Sequence, residues 1–154
     1  LEKYNGVKRR LEVKHQLKNG TILIDDYAHH PTEVEASISA IKKSFNNRII
    51  TIFQPHLYSR TVNFYQDFAK ALSLSDISIL LDIYPAREKP IDNVTTQLIY
   101  DEMLKIGYKN ILFNKDISLI PKIIKDIHKE GDIIITMGAG DIYKQNSIIL
   151  EAIS

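Results

Sequence analysis

Short β-branched runs alternate with longer stretches of helical periodicity in this chain, and this alternation restricts the fold more than any other feature of the sequence. Each short run has four to six residues and is apolar almost throughout. That pattern is typical of strands in a parallel sheet that is covered on both faces. We therefore predict five such strands, at residues 21–25, 48–53, 77–82, 110–113 and 132–136.

The stretches between these runs carry apolar residues on one helical face. In the first stretch the spacings are four, three and four residues, as an amphipathic helix requires. That face consists of Val34, Ile38, Ile41 and Phe45. Comparable patterns predict further helices at 64–72, 94–105, 117–127 and 141–153. Strands that alternate with helices in this way indicate an α/β fold, here a Rossmann-like, doubly wound and mostly parallel sheet.

The N-terminal part of the chain follows a different pattern. Residues 9–16 alternate apolar with polar side chains, and Asn19-Gly20 follows them. Asn-Gly between two such runs is typical of a β-hairpin, so we predict an antiparallel strand that precedes the strand at 21–25. Residues 1–8 are interpreted as a loose lead-in.

Composition restricts the function classes. The 154 residues contain no cysteine, which excludes disulfides, thiolate catalysis and cysteine-ligated metals. The chain has 20 basic and 19 acidic residues, and this balance gives no electrostatic argument for binding to nucleic acid or to acidic membranes. No apolar run approaches the ~20 residues that span a bilayer. The length, without an internal repeat or linker, predicts a single domain over residues 1–154.

Polar side chains follow four of the predicted strands. Ligands of open α/β sheets bind beyond the carboxyl ends of the strands, and three of the five histidines and two of the five arginines lie in these segments. We therefore predict a ligand site at this edge of the sheet. The segments are 25–31, 54–61, 84–90 and 137–141.

Several of these residues also have simpler explanations. Asp25 or Asp26 could cap the following helix. Adjacent His29 and His30 lack the spacing of metal ligands, so we predict hydrogen-bonding roles and no metal site. Arg60 offers a planar fork for a carboxylate or phosphate near a helix start, or a surface salt bridge.

The segment Gly138-Ala139-Gly140 permits close backbone approach, either to a ligand or for tight packing alone. It lacks the third glycine of a dinucleotide-binding fingerprint, because Tyr143 occupies that position. The chain has neither a P-loop motif nor a Ser-His-Asp arrangement. From the residues alone, we expect one wall of a shared site for a small anionic ligand.

Two longer motifs resemble a known family. Residues 25–34 read Asp-Asp-Tyr-Ala-His-His-Pro-Thr-Glu-Val, and residues 53–61 read Phe-Gln-Pro-His-Leu-Tyr-Ser-Arg-Thr. Both resemble motifs in the C-terminal domain of the ATP-dependent Mur ligases. Further matches lie at 6–12, 82–88 and 138–141, in the order of the family. One position departs from the pattern, since Leu57 stands where the family usually has Arg.

The resemblance implies an activity that composition and spacing do not show. The double-His form resembles the members that join L-alanine to UDP-N-acetylmuramate in bacterial peptidoglycan synthesis. ATP would phosphorylate the muramic acid carboxylate, and the amine would then displace phosphate. Such ligases are cytoplasmic, use Mg²⁺ and have three domains. The chain begins with Leu1 and lacks a P-loop, so we expect the third domain without the UDP-binding and ATPase domains, inactive alone and binding no cofactor alone.

Residue roles follow from the same resemblance. Arg10 and Asp26 would contact ATP, with Asp26 at the ribose hydroxyls. Arg60 would hold the carboxylate of the incoming amino acid, and Arg87 or Lys89 would supply the positive charge that Leu57 lacks. The remaining amino-acid pocket would consist of Tyr27, His29 and His56. The possible supporting residues are His30, Arg87, Gly138 and Gly140.

Two other functional classes remain open at this point. One is a stand-alone nucleotide- or anion-binding module without catalysis, which would share the ligand edge but not the reaction. The other is a protein-interaction domain, which no apolar surface pattern in the sequence favours.

Overall fold

The computed structural model describes residues 10–154 and contains six β-strands. They are β1 (Glu12–Gln16), β2 (Ile22–Asp26), β3 (Ile49–Phe53), β4 (Ile77–Leu80), β5 (Ile111–Phe113) and β6 (Ile133–Met137). All six form one sheet in the order β1-β2-β6-β3-β4-β5. Strand β1 pairs antiparallel with β2, and every other neighbouring pair is parallel. The predicted mostly parallel α/β fold is therefore confirmed.

In the described part of the chain, five α-helices connect or follow the strands. They are α1 (Pro31–Ser44), α2 (Tyr58–Leu72), α3 (Gln97–Lys105), α4 (Ile120–Ile127) and α5 (Asn146–Ile153). The last two were predicted to begin earlier, but short 3₁₀ turns at Ile117–Leu119 and Ile142–Gln145 precede them. Within residues 10–154, no helix combines the length and apolar character needed to cross a membrane.

The two faces of the sheet carry separate apolar cores. Helices α1, α2 and α3 cover one face, where Ile24 and Phe53 are buried. Helices α4 and α5 cover the other face, where Leu23 and Ile52 are buried. Successive residues of a strand point to opposite faces. Two covered faces therefore explain why the sequence of each strand is apolar almost throughout.

The Asn-Gly segment lies in the predicted connection between β1 and β2. Gly20 has a φ of 91°, a left-handed conformation that glycine adopts without steric cost. Its backbone N–H donates to the Leu17 carbonyl at 3.0 Å, and the Asn19 side chain accepts from the Thr21 N–H at 3.0 Å. The predicted lead-in at residues 1–8 lies outside the described residues.

An ion pair joins two central strands at the amino end of the sheet. Arg48 directly precedes β3, and it donates to both carboxylate oxygens of Asp132, at 3.0 and 2.6 Å. It also donates to the Ile127 carbonyl at 2.8 Å. The hydrogen bonds that Arg48 donates to Asp132 raise the pKa of Arg48 above its ordinary value. This contact ties β3 to β6 at the edge opposite the predicted site.

We predict that Arg48→Met destabilises the fold by about 2–4 kcal/mol, because it leaves the Asp132 carboxylate buried without its cation. The measurement is urea unfolding followed by circular dichroism. The double variant Arg48→Met/Asp132→Asn should recover part of the loss. A single variant as stable as the parent chain would show that the pair does not support the fold.

Candidate functional site

The loops that follow β3 and β4 meet at the carboxyl edge of the sheet. His56 and Tyr84 form an isolated parallel bridge that continues the pairing of these strands. The Leu57 N–H donates to the Tyr84 carbonyl at 2.9 Å, and the Tyr84 N–H donates to the Pro55 carbonyl at 2.8 Å. Helix α2 begins directly afterwards, at Tyr58. His56 and Arg60 therefore flank the start of a helix, as the sequence predicts.

Arg60 and His56 are in direct contact. The Arg60 Nη1 atom donates to His56 Nδ1 at 3.0 Å. A guanidinium can only donate, so His56 Nδ1 is the acceptor and the neutral ring carries its proton on Nε2. Burial, with the nearby Arg60 and His29, lowers the pKa of His56 below its ordinary value. The pair thus presents a guanidinium and a neutral imidazole at the edge of the sheet.

Four aromatic rings form a row across this edge. The ring centroids of Tyr27 and His29 are 5.1 Å apart, and those of His29 and His56 are 5.7 Å apart, both pairs edge to face. His56 stacks on Tyr84 at 5.9 Å with an interplanar angle of 14°. The row therefore links the loop after β2 to the loops after β3 and β4. Tyr27, His29, His56 and Arg60, the predicted amino-acid pocket, lie together along it.

The two adjacent histidines have different surroundings. His29 lies in the ring row, and its Nδ1 contacts the Tyr27 carbonyl oxygen at 2.9 Å. His30 precedes α1, and its ring packs against that of Phe64 in α2, with the two ring centroids 4.9 Å apart. His29 is thus directed toward the candidate site, whereas His30 packs where α1 meets α2.

Glu33 supports this loop, and sequence reasoning assigned it no role. Its Oε1 accepts from the backbone N–H groups of His29 at 3.3 Å and His30 at 3.2 Å. Its Oε2 lies 3.4 Å from Arg10 Nη1. Burial opposes ionisation of Glu33, but these N–H donors and the nearby His29 and Arg10 hold its pKa below the ordinary value. The spacing of Glu33 three residues after the helix N-cap is that of a capping box.

The two consecutive aspartates point to opposite faces of the sheet. Asp25 accepts from the Thr136 hydroxyl at 3.0 Å. Asp26 accepts from the Ala28 N–H at 2.8 Å through Oδ1. Its buried Oδ2 has no hydrogen-bond partner among residues 10–154. Burial raises the pKa of Asp26, an effect that Ser37, Ala28 and Arg10 partly offset. Neither aspartate is the N-cap of α1, since His30 occupies that position.

The glycine turn after β6 provides close packing. A Cβ on Gly140 would lie 2.5 Å from both Gln54 Oε1 and Tyr84 Cγ, and a Cβ on Gly138 would lie 2.7 Å from the Gln54 carbonyl. Gln54 in turn donates to Asp141 at 2.7 Å and accepts from the Ile142 N–H at 3.1 Å. The absence of side chains at these glycines thus allows Gln54 and Tyr84 to pack against the turn. This packing positions the Tyr84 ring, which is one end of the ring row.

A second carboxylate holds the start of α2. Glu88 accepts from the Ser59 N–H at 2.9 Å and from the Ser59 hydroxyl at 2.5 Å. These hydrogen bonds lower the pKa of Glu88. Arg87 and Lys89, on either side of Glu88, are exposed. Leu57 and Ala86 adopt left-handed backbone conformations, with φ of 74° and 54°. Such strained residues concentrate at functional sites.

Within residues 10–154, no group of three or more potential ligand side chains is arranged to hold a metal ion. The candidate site at this edge presents one guanidinium and two imidazoles, and the nearby Asp26 carboxylate is fully buried. The guanidinium and the neutral imidazole of His56 can bind the carboxylate of a small molecule.

Comparison with known proteins decides the family. The family model described as Mur ligase, glutamate ligase domain, matches residues 9–140. The chain belongs to the Mur ligase family. It is 38% identical over 155 aligned residues to the UDP-N-acetylmuramate–L-alanine ligase of Desulforapulum autotrophicum, and it covers 34% of that protein. It is 40% identical over 148 residues to the ligase of the same name from Geotalea daltonii and covers 32% of it.

Solved structures of Mur ligases share the fold. The UDP-N-acetylmuramate-alanine ligase MurC of Thermotoga maritima matches 98% of this chain with a TM-score of 0.78 and 30% identity. The match covers 31% of the Thermotoga chain. A murein peptide ligase of Psychrobacter arcticus matches with a TM-score of 0.77 at 23% identity, which shows the fold alone. This Mur ligase domain thus spans about a third of the length of its curated relatives.

We predict that Gly140→Ala destabilises this Mur ligase domain by about 2–3 kcal/mol, the upper part of the range for overpacking. The added methyl group would overlap Gln54 and Tyr84. Gly107→Ala is the control, because a Cβ there meets nothing within 4 Å and is opposed only by a φ of 92°; its cost is about 1 kcal/mol. Thermal unfolding measures both. Equal losses would contradict close packing as the reason for Gly140.

We predict that Asp26→Asn stabilises the domain at pH 7. Burial raises the pKa of Asp26 in the folded chain, so ionisation favours the unfolded chain once the pH exceeds the ordinary pKa of aspartate. The gain should therefore be present at pH 7 and absent at about pH 3, where the carboxyl group is protonated in both states. Urea unfolding at the two pH values measures the difference. A loss of stability at pH 7 would contradict the view that ionisation of buried Asp26 destabilises the folded chain.

Proposed function

We propose that this chain is the C-terminal domain of an ATP-dependent ligase that joins L-alanine to UDP-N-acetylmuramate through an acyl phosphate, in cytoplasmic synthesis of bacterial peptidoglycan precursors. The observation that carries the proposal is the contact of Arg60 with His56, beside His29 and Tyr27. These side chains lie at the edge where ligands of α/β sheets bind. Relatives that bear the name of this activity match almost the whole chain.

The Arg60 guanidinium suits the carboxylate of the incoming amino acid. One of its nitrogens is engaged with His56, and a guanidinium has five N–H donors in a planar fork. The neutral His56 adds an Nε2–H donor beside it. Charge-assisted hydrogen bonds to such donors are the strong class. The carboxylate would therefore be held beside the start of α2, by the side chains of Arg60 and His56.

Arg10 and Asp26 are the proposed ATP contacts of the domain. Arg10 is held by Glu33 with its side chain 44% exposed, so it can reach a phosphate at the surface. Asp26 has a buried oxygen that could accept from a ribose hydroxyl. Because Asp26 is fully covered, that contact requires the covering groups to shift when ATP binds.

The remaining parts of the reaction belong to other domains in this proposal. A P-loop motif is absent from the 154 residues, and relatives are about three times as long as the matched segment. The UDP-sugar, the triphosphate and Mg²⁺ would be bound by preceding N-terminal and central domains. Mg²⁺ would neutralise phosphate charge there. The residues of this domain would orient the amino acid and exclude water from the acyl phosphate.

In the full-length ligase, we predict that Arg60→Ala lowers kcat/KM for L-alanine about ten- to a hundredfold, as expected for loss of a charge-assisted hydrogen bond of about 1.5–3 kcal/mol. The KM for UDP-N-acetylmuramate should change little. Lys70→Ala is the matched control, because Lys70 is a cation in the last turn of the same helix. L-Alanine-dependent phosphate release measures both. Normal use of L-alanine by Arg60→Ala would exclude Arg60 as the carboxylate clamp.

Residues 1–154 alone should fold but neither hydrolyse ATP nor form an amide bond, because they lack the triphosphate site. The check is phosphate release by the purified domain with ATP, L-alanine and UDP-N-acetylmuramate. Turnover by residues 1–154 alone would contradict the assignment of the triphosphate site to another domain. If a longer chain that contains it binds nucleotide but never releases phosphate with any amino acid, the non-catalytic module becomes the better explanation.

A further inference from the structure

The neighbours of His29 and His56 hold the two neutral rings in opposite tautomers. His56 Nδ1 contacts the Arg60 guanidinium at 3.0 Å, so this nitrogen must accept. His29 Nδ1 contacts the Tyr27 carbonyl oxygen at 2.9 Å, so this nitrogen must donate. In the neutral rings, His56 therefore has a proton on Nε2, whereas His29 has a lone pair there. The two rings are 5.7 Å apart.

We propose that His29 is the catalytic base that takes a proton from the ammonium group of the incoming amino acid, while His56 donates a hydrogen bond to the carboxylate of the same molecule. This inference rests on the proposed function, because it assigns separate roles within that amino-acid pocket. An amino acid binds mainly as an ammonium ion at neutral pH, and an ammonium nitrogen has no lone pair for attack. The reaction therefore needs a proton acceptor close to Arg60.

The charges around the two rings favour this division of roles. Glu33 Oε1 lies 3.6 Å from His29 Nδ1, so a carboxylate faces the nitrogen that carries the proton of the neutral His29 ring. Arg60 lies against His56 and disfavours a second positive charge there. The Tyr27 carbonyl fixes the tautomer of His29, and Arg60 fixes that of His56.

The proton and electron balance is complete without a further reactant. His29 Nε2 takes one proton from the ammonium group, and the amine lone pair then forms the C–N bond at the acyl carbon. The bond between that carbon and the phosphate oxygen breaks, and its electron pair leaves with phosphate. The departing phosphate takes the second proton from nitrogen, and the His29 imidazolium releases its proton to water.

Other candidate bases near this edge are engaged elsewhere. His30 packs against Phe64. Glu88 accepts two hydrogen bonds from Ser59 at the start of α2. Asp26 is fully buried. The two histidines of the ring row differ in the nitrogen that is engaged. Arg60 occupies the acceptor nitrogen of His56, whereas His29 bonds to the Tyr27 carbonyl through its donor nitrogen and keeps its lone pair on Nε2, with a side chain that is 25% exposed.

The test uses two nucleophiles with the full-length ligase. L-Alanine needs a base, whereas hydroxylamine is largely unprotonated at neutral pH and attacks acyl phosphates unaided. We expect His29→Gln to lower kcat with L-alanine by about a hundredfold or more, while hydroxamate formation from UDP-N-acetylmuramate and ATP stays within about threefold of the wild-type rate. His56 is proposed to bind the amino-acid carboxylate and not to transfer a proton. His56→Gln alters this binding group but keeps an N–H donor, so its main effect should be on the KM for L-alanine.

The outcomes separate this inference from the proposed function. If the wild-type ligase forms no hydroxamate, the acyl-phosphate reaction itself is wrong. If His29→Gln loses both reactions equally, His29 has a structural role. If His29→Gln retains more than about a tenth of the L-alanine rate, another group is the base. Hydroxamate formation by the variant also shows that it is folded and binds ATP and the UDP-sugar.

Discussion

The last strand of the chain lies in the middle of the sheet, and the rest of the structure depends on its pairing. Strand β6 forms five residue pairs with β2 on one side and five with β3 on the other. These parallel pairings bring the carboxyl ends of β2, β6 and β3 to one edge. The loops with His29 and His56 lie on either side of the turn after β6. The site therefore assembles only once residues far apart in sequence have paired.

At two places in the chain, consecutive residues of the same type have different surroundings. Asp25 and Asp26 are consecutive, yet one bonds to Thr136 in one core while the other is buried on the α1 side. His29 and His30 differ in the same way. Doubling a residue type thus gives one member to the candidate site and one to the fold. Substituting the two members separately distinguishes these roles.

Much of the fold and part of the site could be predicted from the sequence. Apolar runs and helical spacing predict the elements, because each pattern is local. The sheet order could not be predicted, since periodicity does not show which strands are neighbours. The carboxyl-edge rule placed His56 with Arg60, but the roles of Glu33 and Glu88 were missed, because both act on backbone N–H groups and Glu88 lies 29 residues from its partner Ser59. For Gly140, the structure favours packing over ligand approach.

We infer that this edge of the sheet receives the amino acid and the nucleotide of a ligation reaction. The test is a crystal structure of the full-length ligase with a non-hydrolysable ATP analogue and UDP-N-acetylmuramoyl-L-alanine. We expect the alanine carboxylate within hydrogen-bond distance of Arg60 and His56, and a ribose hydroxyl on Asp26. An alanine carboxylate bound by another domain, with the ring row facing solvent, would contradict it.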